Sequence, residues 1–344
     1  MATLPVTNPT LADWAKRVDP QSGNIAAVGE VLNQTNEILD DATMLPGNLP
    51  VGHRTTIRTG LPTVYWRSLN EGIYPSKSTT AQVDETIGML EARSEIDVKL
   101  ASLNGNTNEF RLSEDRPFIE AMNQEMASTL FYGNPSSDPK KFLGLSSRYS
   151  SLSAGNAQNI ISAGGTGAGT LASVWLVVWG PETTFCIFPK GSMAGLDSRN
   201  LGEQTVYDVN NVAGTRMQAL VSLYTWQNGL VSKDWRYVVR IPNIKVSDFT
   251  GLTGTQVPTA YTTLLHKMLM ATYRIPSFGM GRAVWYMNRT VHSGLSRLAA
   301  EKASNVITFS EGVNQFGTPR RYLSCLGIPI RLCDSLLNTE DEVT

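Results

Sequence analysis

Between Arg54 and Asp97 the chain reads as β structure with too little apolar surface to fold on itself. Thr55-Thr56-Ile57-Arg58-Thr59, Val64-Tyr65-Trp66 and the stretch from Ser78 to Glu95 are rich in strand-forming residues. Gly72-Ile73-Tyr74-Pro75-Ser76 supplies a turn between them. Neither limb alternates apolar and polar residues strongly enough to make a buried face. The expectation is a long hairpin projecting from a body, and an isolated two-stranded ribbon is marginal in water. Such a ribbon is expected to become ordered by lying on a partner.

The ribbon also carries charge. Arg54, Arg58, Arg67 and Lys77 face Asp84, Glu85, Glu91 and Glu95 on the return limb. One reading is cross-strand pairing, worth about a few tenths of a kcal/mol per exposed pair. The other is docking on an adjacent copy, and the two are compatible.

With 344 residues the chain is long enough for one or two domains and a sizeable core, without metal or disulfide staples. The body is expected in the second half. Val174-Trp175-Leu176-Val177-Val178-Trp179 and Thr184-Phe185-Cys186-Ile187-Phe188 are continuous apolar runs around Gly180-Pro181, which reads as a buried β-hairpin. Further strands are expected at Arg216 to Trp226, Asp234 to Ile241, Ala283 to Met287, Val306 to Phe309, Arg321 to Cys325 and Ile328 to Leu332. Helices are expected at Tyr261 to Arg274 and, capped by Asn288, at Arg289 to Lys302. Ahead of the body, Ser113 reads as the cap of a helix carrying Phe118, Ile119, Met122, Met126 and Leu130 on one side, with Gly133 as its stop. Ser146 to Thr170 is rich in Ser, Gly and Asn and reads as an exposed, mobile segment.

The first fifty residues read as two short helices. Asn8 caps the first, with Leu11, Trp14, Ala15 and Val18 on one face and Asp19-Pro20 as its end. Ile25, Val28, Leu32, Thr35 and Leu39 give the second a stripe too narrow for a domain core. Such an arm needs its own body or a neighbour to lie on.

Charge narrows the function. Lys and Arg number 29, Asp and Glu 30, giving a net charge of −1. That argues against a chain whose main task is neutralising nucleic-acid phosphate. Charged residues are 17%, against roughly 25% in an average soluble domain. A weakly charged surface suits burial against further copies.

No motif supports catalysis. Gly164-Gly165-Thr166-Gly167-Ala168-Gly169-Thr170 resembles a phosphate loop, but Thr170 stands where Lys is needed, so a surface loop is the better reading. His53, His266 and His292 lack metal-ligand spacing, and Cys186, Cys325 and Cys333 form no CxxC pair and read as reduced, core-filling thiols. There is no GxSxG elbow. Asp40-Asp41, Glu114-Asp115 and Glu340-Asp341-Glu342 read as helix-end or solvated-tail charges. No catalytic, cofactor-binding or metal residue is assigned. No stretch has the length of a membrane span or the form of a signal peptide.

The order of parts, together with several local segments, resembles the major capsid proteins of tailed bacteriophages with the Hong Kong 97-type fold. The segments are Leu130-Phe131-Tyr132-Gly133-Asn134 with Lys141-Phe142-Leu143-Gly144-Leu145, Val178-Trp179-Gly180 with Phe188-Pro189-Lys190-Gly191, and the run from Asp234 to Asn243. Trp285-Tyr286-Met287-Asn288-Arg289 and Gly327-Ile328-Pro329-Ile330-Arg331 before Cys333-Asp334 complete them. They are similar to the short-tailed, Bordetella phage-like branch, over nearly the whole chain.

The resemblance implies an α+β fold with an N-terminal arm (1–50), an extended β-hairpin loop (51–103), a spine helix opening a peripheral domain (104–145), and an axial domain with the remaining peripheral strands (146–344). It leaves open a permuted connectivity. It implies a structural protein, not an enzyme, that is made in the host cytoplasm and resides in the virion capsid. Its partners would be itself, as hexamers and pentamers, together with a scaffolding protein, a portal and packaged double-stranded DNA held by weak contacts. There is room for a cementing or decoration protein and none for a membrane or cofactor. The expected subunit-interface residues are Ile73, Tyr74, Pro75 and Lys77 at the loop tip. The founding member's isopeptide crosslink joins an extended-loop Lys to an Asn with a nearby Glu. Neither the Asn nor the Glu aligns here, so non-covalent locking is expected. A bacterial nanocompartment shell of the same fold is the alternative, and a soluble enzyme of unknown class the more remote one.

Overall fold

The computed structural model of the chain describes residues 8–17, 32–207, 215–250, 259–300, 307–313 and 319–344. The expected positions Val18, Asp19-Pro20, Ile25, Val28, Lys302 and Val306 lie outside them. In chain order the elements begin with α1 (Leu11–Arg17), α2 (Ile38–Asp41), β1 (Met44–Pro46), β2 (Gly52–Gly60), β3 (Thr79–Thr86) and β4 (Gly88–Asp97). Next come α3 (Val98–Ala101), α4 (Thr107–Tyr132), α5 (Leu145–Arg148), β5 (Leu171–Trp179), β6 (Thr184–Phe188), β7 (Leu196–Tyr207) and β8 (Arg216–Ser232). The chain finishes with β9 (Val238–Lys245), α6 (Thr259–Thr272), β10 (Arg282–Met287), α7 (Arg289–Ala300), β11 (Ile307–Val313), β12 (Pro319–Cys325) and β13 (Ile328–Leu332).

These elements gather into two compact units. The first comprises the described residues within Met1–Gln34, Met89–Met126 and Gly195–Gln227, and the second those within Thr35–Gly88, Ala127–Ala194 and Asn228–Thr344.

In the first unit β7 and β8 pair antiparallel, from Leu196 opposite Trp226 to Tyr207 opposite Arg216, and β8 is hydrogen-bonded to β4. Ile96, Ala101 and Phe110 form a small core with Trp14, Leu100 and Leu220 against it. That core corrects the start of the spine helix: α4 begins at Thr107, and Ser113, expected as its cap, lies inside it. Burying Phe110 is worth roughly 1.5–3 kcal/mol and holds the extra first turns. It also helps offset Pro117, which stands inside the helix and removes an N–H bond. The first helix is capped by Thr10, not Asn8. Thr10 Oγ1 accepts from the Asp13 N–H at 3.4 Å, and the Asp13 carboxylate accepts from the Thr10 N–H at 3.0 Å.

The second unit is built on a mixed sheet in the order β11, β12, β13, β10, β5, β6, then the last residues of β8, with β9 paired to β5 and β1 to β6. All nine residues of β5 are buried. Val174, Leu176 and Val178 point into a core with Tyr261, Leu264 and Met268 of α6 and Val291 and Leu295 of α7. Trp175, from the alternate set, packs against Phe131, at 6.2 Å between ring centroids, and Tyr149, at 6.1 Å. Cover on both faces is why the run is apolar at every position.

The two apolar runs are not a hairpin. β5 takes β10 and β9 as antiparallel neighbours and meets β6 only in parallel, at Trp179 opposite Thr184. The antiparallel partner of β6 is β8, from Thr184 opposite Ser232 to Ile187 opposite Gly229. A strand buried on both faces needs neighbours on both edges, and β9 and β10 supply them.

Ser146 to Thr170 is also more ordered than its composition implies. Tyr149, Asn159, Ile160 and Ile161 are buried. Tyr149 Oη donates to the Trp235 carbonyl at 2.7 Å, and Asn159 Nδ2 donates to those of Arg236 and Val238, both at 2.9 Å. Only Thr166 to Thr170 forms an exposed run. Of the second expected helix only Leu32, Thr35 and Leu39 are described; there Asn36 bridges to Cys333, Leu39 lies in the single turn of α2, and β1 joins β6. The helix from Arg289 begins as expected, with Asn288 Oδ1 accepting from the Val291 N–H at 2.9 Å.

Candidate functional site

The ribbon lies in the second unit. β2 and β3 form a two-stranded sheet of their own, from Gly52 opposite Thr86 to Gly60 opposite Thr79, with an irregularity between Arg58 and Gly60. Residues 61–78 close it without regular strands. From Thr56 to Asp84 not one residue is buried. The tip nevertheless has internal order. The rings of Tyr65 and Tyr74 lie 6.3 Å apart, Ser76 Oγ donates to the Thr63 carbonyl at 2.7 Å, and Glu71 accepts from the Ser68 N–H at 3.1 Å.

This tip exposes Trp66 fully and Val64, Leu69 and Tyr74 by 87%, 91% and 79%. Exposed apolar side chains gathered on one element, unlike scattered ones, are the usual composition of interaction surfaces. Ile73, Tyr74, Pro75 and Lys77 are all on it and all exposed.

Charge pairing is divided between the ribbon and the body. Arg54 and Asp84 stand opposite each other and form the expected bidentate pair at 2.6 and 2.7 Å. That hydrogen bond holds the Asp84 carboxyl below its usual pKa. Glu85 instead turns to Arg148 on α5, at 2.6 and 2.7 Å. Glu91 and Glu95 lie on β4, because the return limb breaks at Ile87, which packs with Phe185, Ile187 and Val231.

Two carboxylates read as solvated or helix-end charges are buried. Glu340 accepts from Arg240 at 2.8 Å and from Tyr132 Oη at 2.5 Å, and also from Ser173 Oγ. Burial, first, and the neighbouring Glu340 charge push the Tyr132 phenol far above its usual pKa. Asp41 accepts from Tyr286 Oη at 3.1 Å and is paired with Arg282 and Arg331. Burial raises its pKa against the pull of Arg331 and Arg282. The one sequence signal for these clusters was Arg240 itself, a charge inside the apolar run Val238-Val239-Arg240-Ile241.

None of this forms a reaction centre. His53 lies edge-on to Phe185, His266 is exposed on α6, and His292 lines a cavity of about 500 Å³ with Glu37, Phe309, Ile330 and Arg331. Among the described residues no group of three or more His, Cys, Asp or Glu is placed to hold a metal. The three cysteines are free and buried. No described helix is long and apolar enough to cross a membrane. The exposed Gly-rich run spends two of its amides on the chain's own tail: Gly169 N–H donates to Asp341 at 3.2 Å and Gly167 N–H to Glu342 at 3.4 Å.

A family model for major capsid protein GP7 matches residues 20–344. The chain belongs to that family. A chain in the structure of bacteriophage epsilon15 is 31% identical to it over 100% of both chains, with a TM-score of 0.71. Slighter likenesses, too weak to carry an argument, extend to two further structures. One is the bacteriophage JBD30 capsid, 9% identical over 82% of this chain and 91% of that one, with a TM-score of 0.45. The other is an encapsulin complex from Synechococcus elongatus PCC 7942, 10% identical over 72% of this chain and 100% of that one, with a TM-score of 0.44. No curated protein matches the chain significantly.

The fold is therefore the Hong Kong 97-type α+β capsid fold, and the chain is a tailed-phage major capsid protein. Its work is structural, not enzymatic, and its place is the virion capsid. The full-length likeness to epsilon15 agrees with the tailed-phage capsid resemblance read from the sequence, without singling out the Bordetella phage-like branch.

Proposed function

We propose that the chain assembles into hexamers and pentamers that close into an icosahedral head around double-stranded DNA, with the ribbon tip as a contact between neighbouring copies. The observation that carries the reading is the tip itself, a cluster of exposed apolar side chains on a ribbon in which no residue from Thr56 to Asp84 is buried. Ile73, Tyr74, Pro75 and Lys77 contact the neighbour. Residues 1–50 act as the arm, 51–103 as the extended loop, 104–145 as the spine and start of the peripheral domain, and 146–344 as the axial domain with the remaining strands.

Each contact is individually weak, and multivalency stabilises the closed shell. A net charge of −1 limits repulsion between copies and keeps contact with packaged DNA weak. A scaffolding protein and a portal complete the assembly, with room for a cementing protein, and copies lock without covalent bonds. The test is light scattering of the recombinant chain, with negative-stain imaging of the same fraction, with and without a crowding agent. Capsomer rings or closed shells support the reading. A monomer that persists even with its scaffolding protein overturns it.

A further inference from the structure

With no buried residue between Thr56 and Asp84, whatever sets the ribbon's direction acts at its root. There Glu85 accepts two hydrogen bonds from the Arg148 guanidinium, at 2.6 and 2.7 Å, and the two side chains are only 8% and 13% exposed. The same guanidinium donates to the Leu230 carbonyl at 2.9 Å and to that of Leu143 at 3.3 Å. It therefore ties β3 to the end of β8 and to the segment leading into α5. Around the pair the backbones are in close contact. A Cβ on Gly52 would sit 2.4 Å from the Glu85 carbonyl oxygen, and one on Gly229 2.6 Å from that of Thr86.

The next pair outward, Arg54 with Asp84, is about half exposed and so contributes little. Glu85 with Arg148 differs in kind. A two-pronged contact between planar groups fixes angle as well as distance, and in a buried site it resists bending. If stability alone were at issue, an apolar pair of similar volume would serve as well or better, since desolvating two charges is costly. An apolar pair would leave the direction of a two-stranded lever undefined.

We infer that Glu85 and Arg148 are positioning residues: they hold the ribbon in one direction so that its tip reaches the neighbouring copy preorganised. The inference rests on the reading that the tip docks there. Loss of the pair spreads the free subunit over many ribbon directions, and each contact then includes the cost of ordering the lever.

The test places spin labels on cysteines introduced at Ser76 on the tip and Lys140 on the body; the native thiols are buried. The parent should give a narrow tip-to-body distance distribution. Glu85→Gln should widen it about twofold or more and weaken the intersubunit contact about tenfold. Because Glu85→Gln leaves a buried charge unpaired, the double variant Glu85→Gln/Arg148→Met serves if the single one does not fold. It should widen the distribution just as much. Met268→Ala, a core truncation in α6, is the control for lost stability alone: it should melt earlier yet keep the narrow distribution and normal assembly. A parent-like distribution in the double variant overturns the inference. Normal shells from a chain lacking the tip would overturn the docking reading instead, while the distance measurement would still decide the positioning role.

Discussion

Arg240 and Glu340, one hundred residues apart in the chain, meet at 2.8 Å with side chains only 4% and 6% exposed. Arg240 also donates to the Tyr149 carbonyl at 2.8 Å and to Ser173 Oγ at 3.1 Å, so one buried cation joins β9, β5, the end of α5 and the C-terminal segment. The backbone bridge between Leu171 and Glu340 holds that segment in place.

Removing one partner should strand a buried charge. Glu340→Ala is expected to destabilise the protein by about 3–5 kcal/mol, and Arg240→Met with Glu340→Leu by less than the sum of the single changes. Urea unfolding measures both. A Glu340→Ala midpoint equal to the parent's would show that the pair contributes nothing.

Gly133 and Gly144 are in close backbone contact at the end of the spine helix. Gly144 N–H donates to the Gly133 carbonyl at 2.8 Å, and a Cβ on Gly144 would lie 2.6 Å from the Gly133 nitrogen and 2.7 Å from the Thr129 oxygen. Gly144→Ala is therefore expected to cost about 1–3 kcal/mol or more. Gly155→Ala, which faces open space, should stay within about 0.5 kcal/mol of the parent. Thermal melts of the pair check this, and equal melting temperatures would refute the close approach.

Burial pushes the Cys186 and Cys333 thiols up to about 12 and Cys325 up to about 11. The thiolate is the reactive form, so a folded chain at pH 8 should resist thiol reagents, and all three cysteines should label in denaturant. Mass spectrometry after brief alkylation counts them. Labelling of even one thiol in the folded chain would contradict the core placement.

Side chains on the tip should matter to assembly and not to folding. Trp66→Ser and Tyr74→Ser remove exposed groups, so stability should stay within about 0.5 kcal/mol of the parent. Shell yield should fall in each. If copies lock without covalent bonds, as proposed, parent shells should run as single chains in denaturing electrophoresis even with Lys77 intact. Ladders of linked chains would refute that.

Much of the architecture was legible in local pattern. Asn288 announced its helix, the apolar run of β5 announced a buried strand, and the polar ribbon announced its own exposure. What was not legible depended on distant partners. Whether β5 pairs with β6 or with β9 and β10 depends on which edges are filled, and hydropathy does not encode that. Ser113 looked like a cap because the burial of Phe110, three residues before it, comes from β4 and α3. Glu340 and Asp41 read as surface charges because their cations, Arg240, Arg282 and Arg331, lie at least one hundred residues away in sequence. The exposure of Ile73, Tyr74, Pro75 and Lys77, the residues expected at the interface, followed from the ribbon pattern, while the pairing of Glu85 with Arg148 did not.

The central claim, that the ribbon tip joins neighbouring copies, is tested most directly by deleting Leu69 to Ser78 under conditions in which the parent closes into shells. Light scattering and negative-stain images should show subunits that melt like the parent and form no closed shells. Closed shells of normal size from the deleted chain would contradict the account.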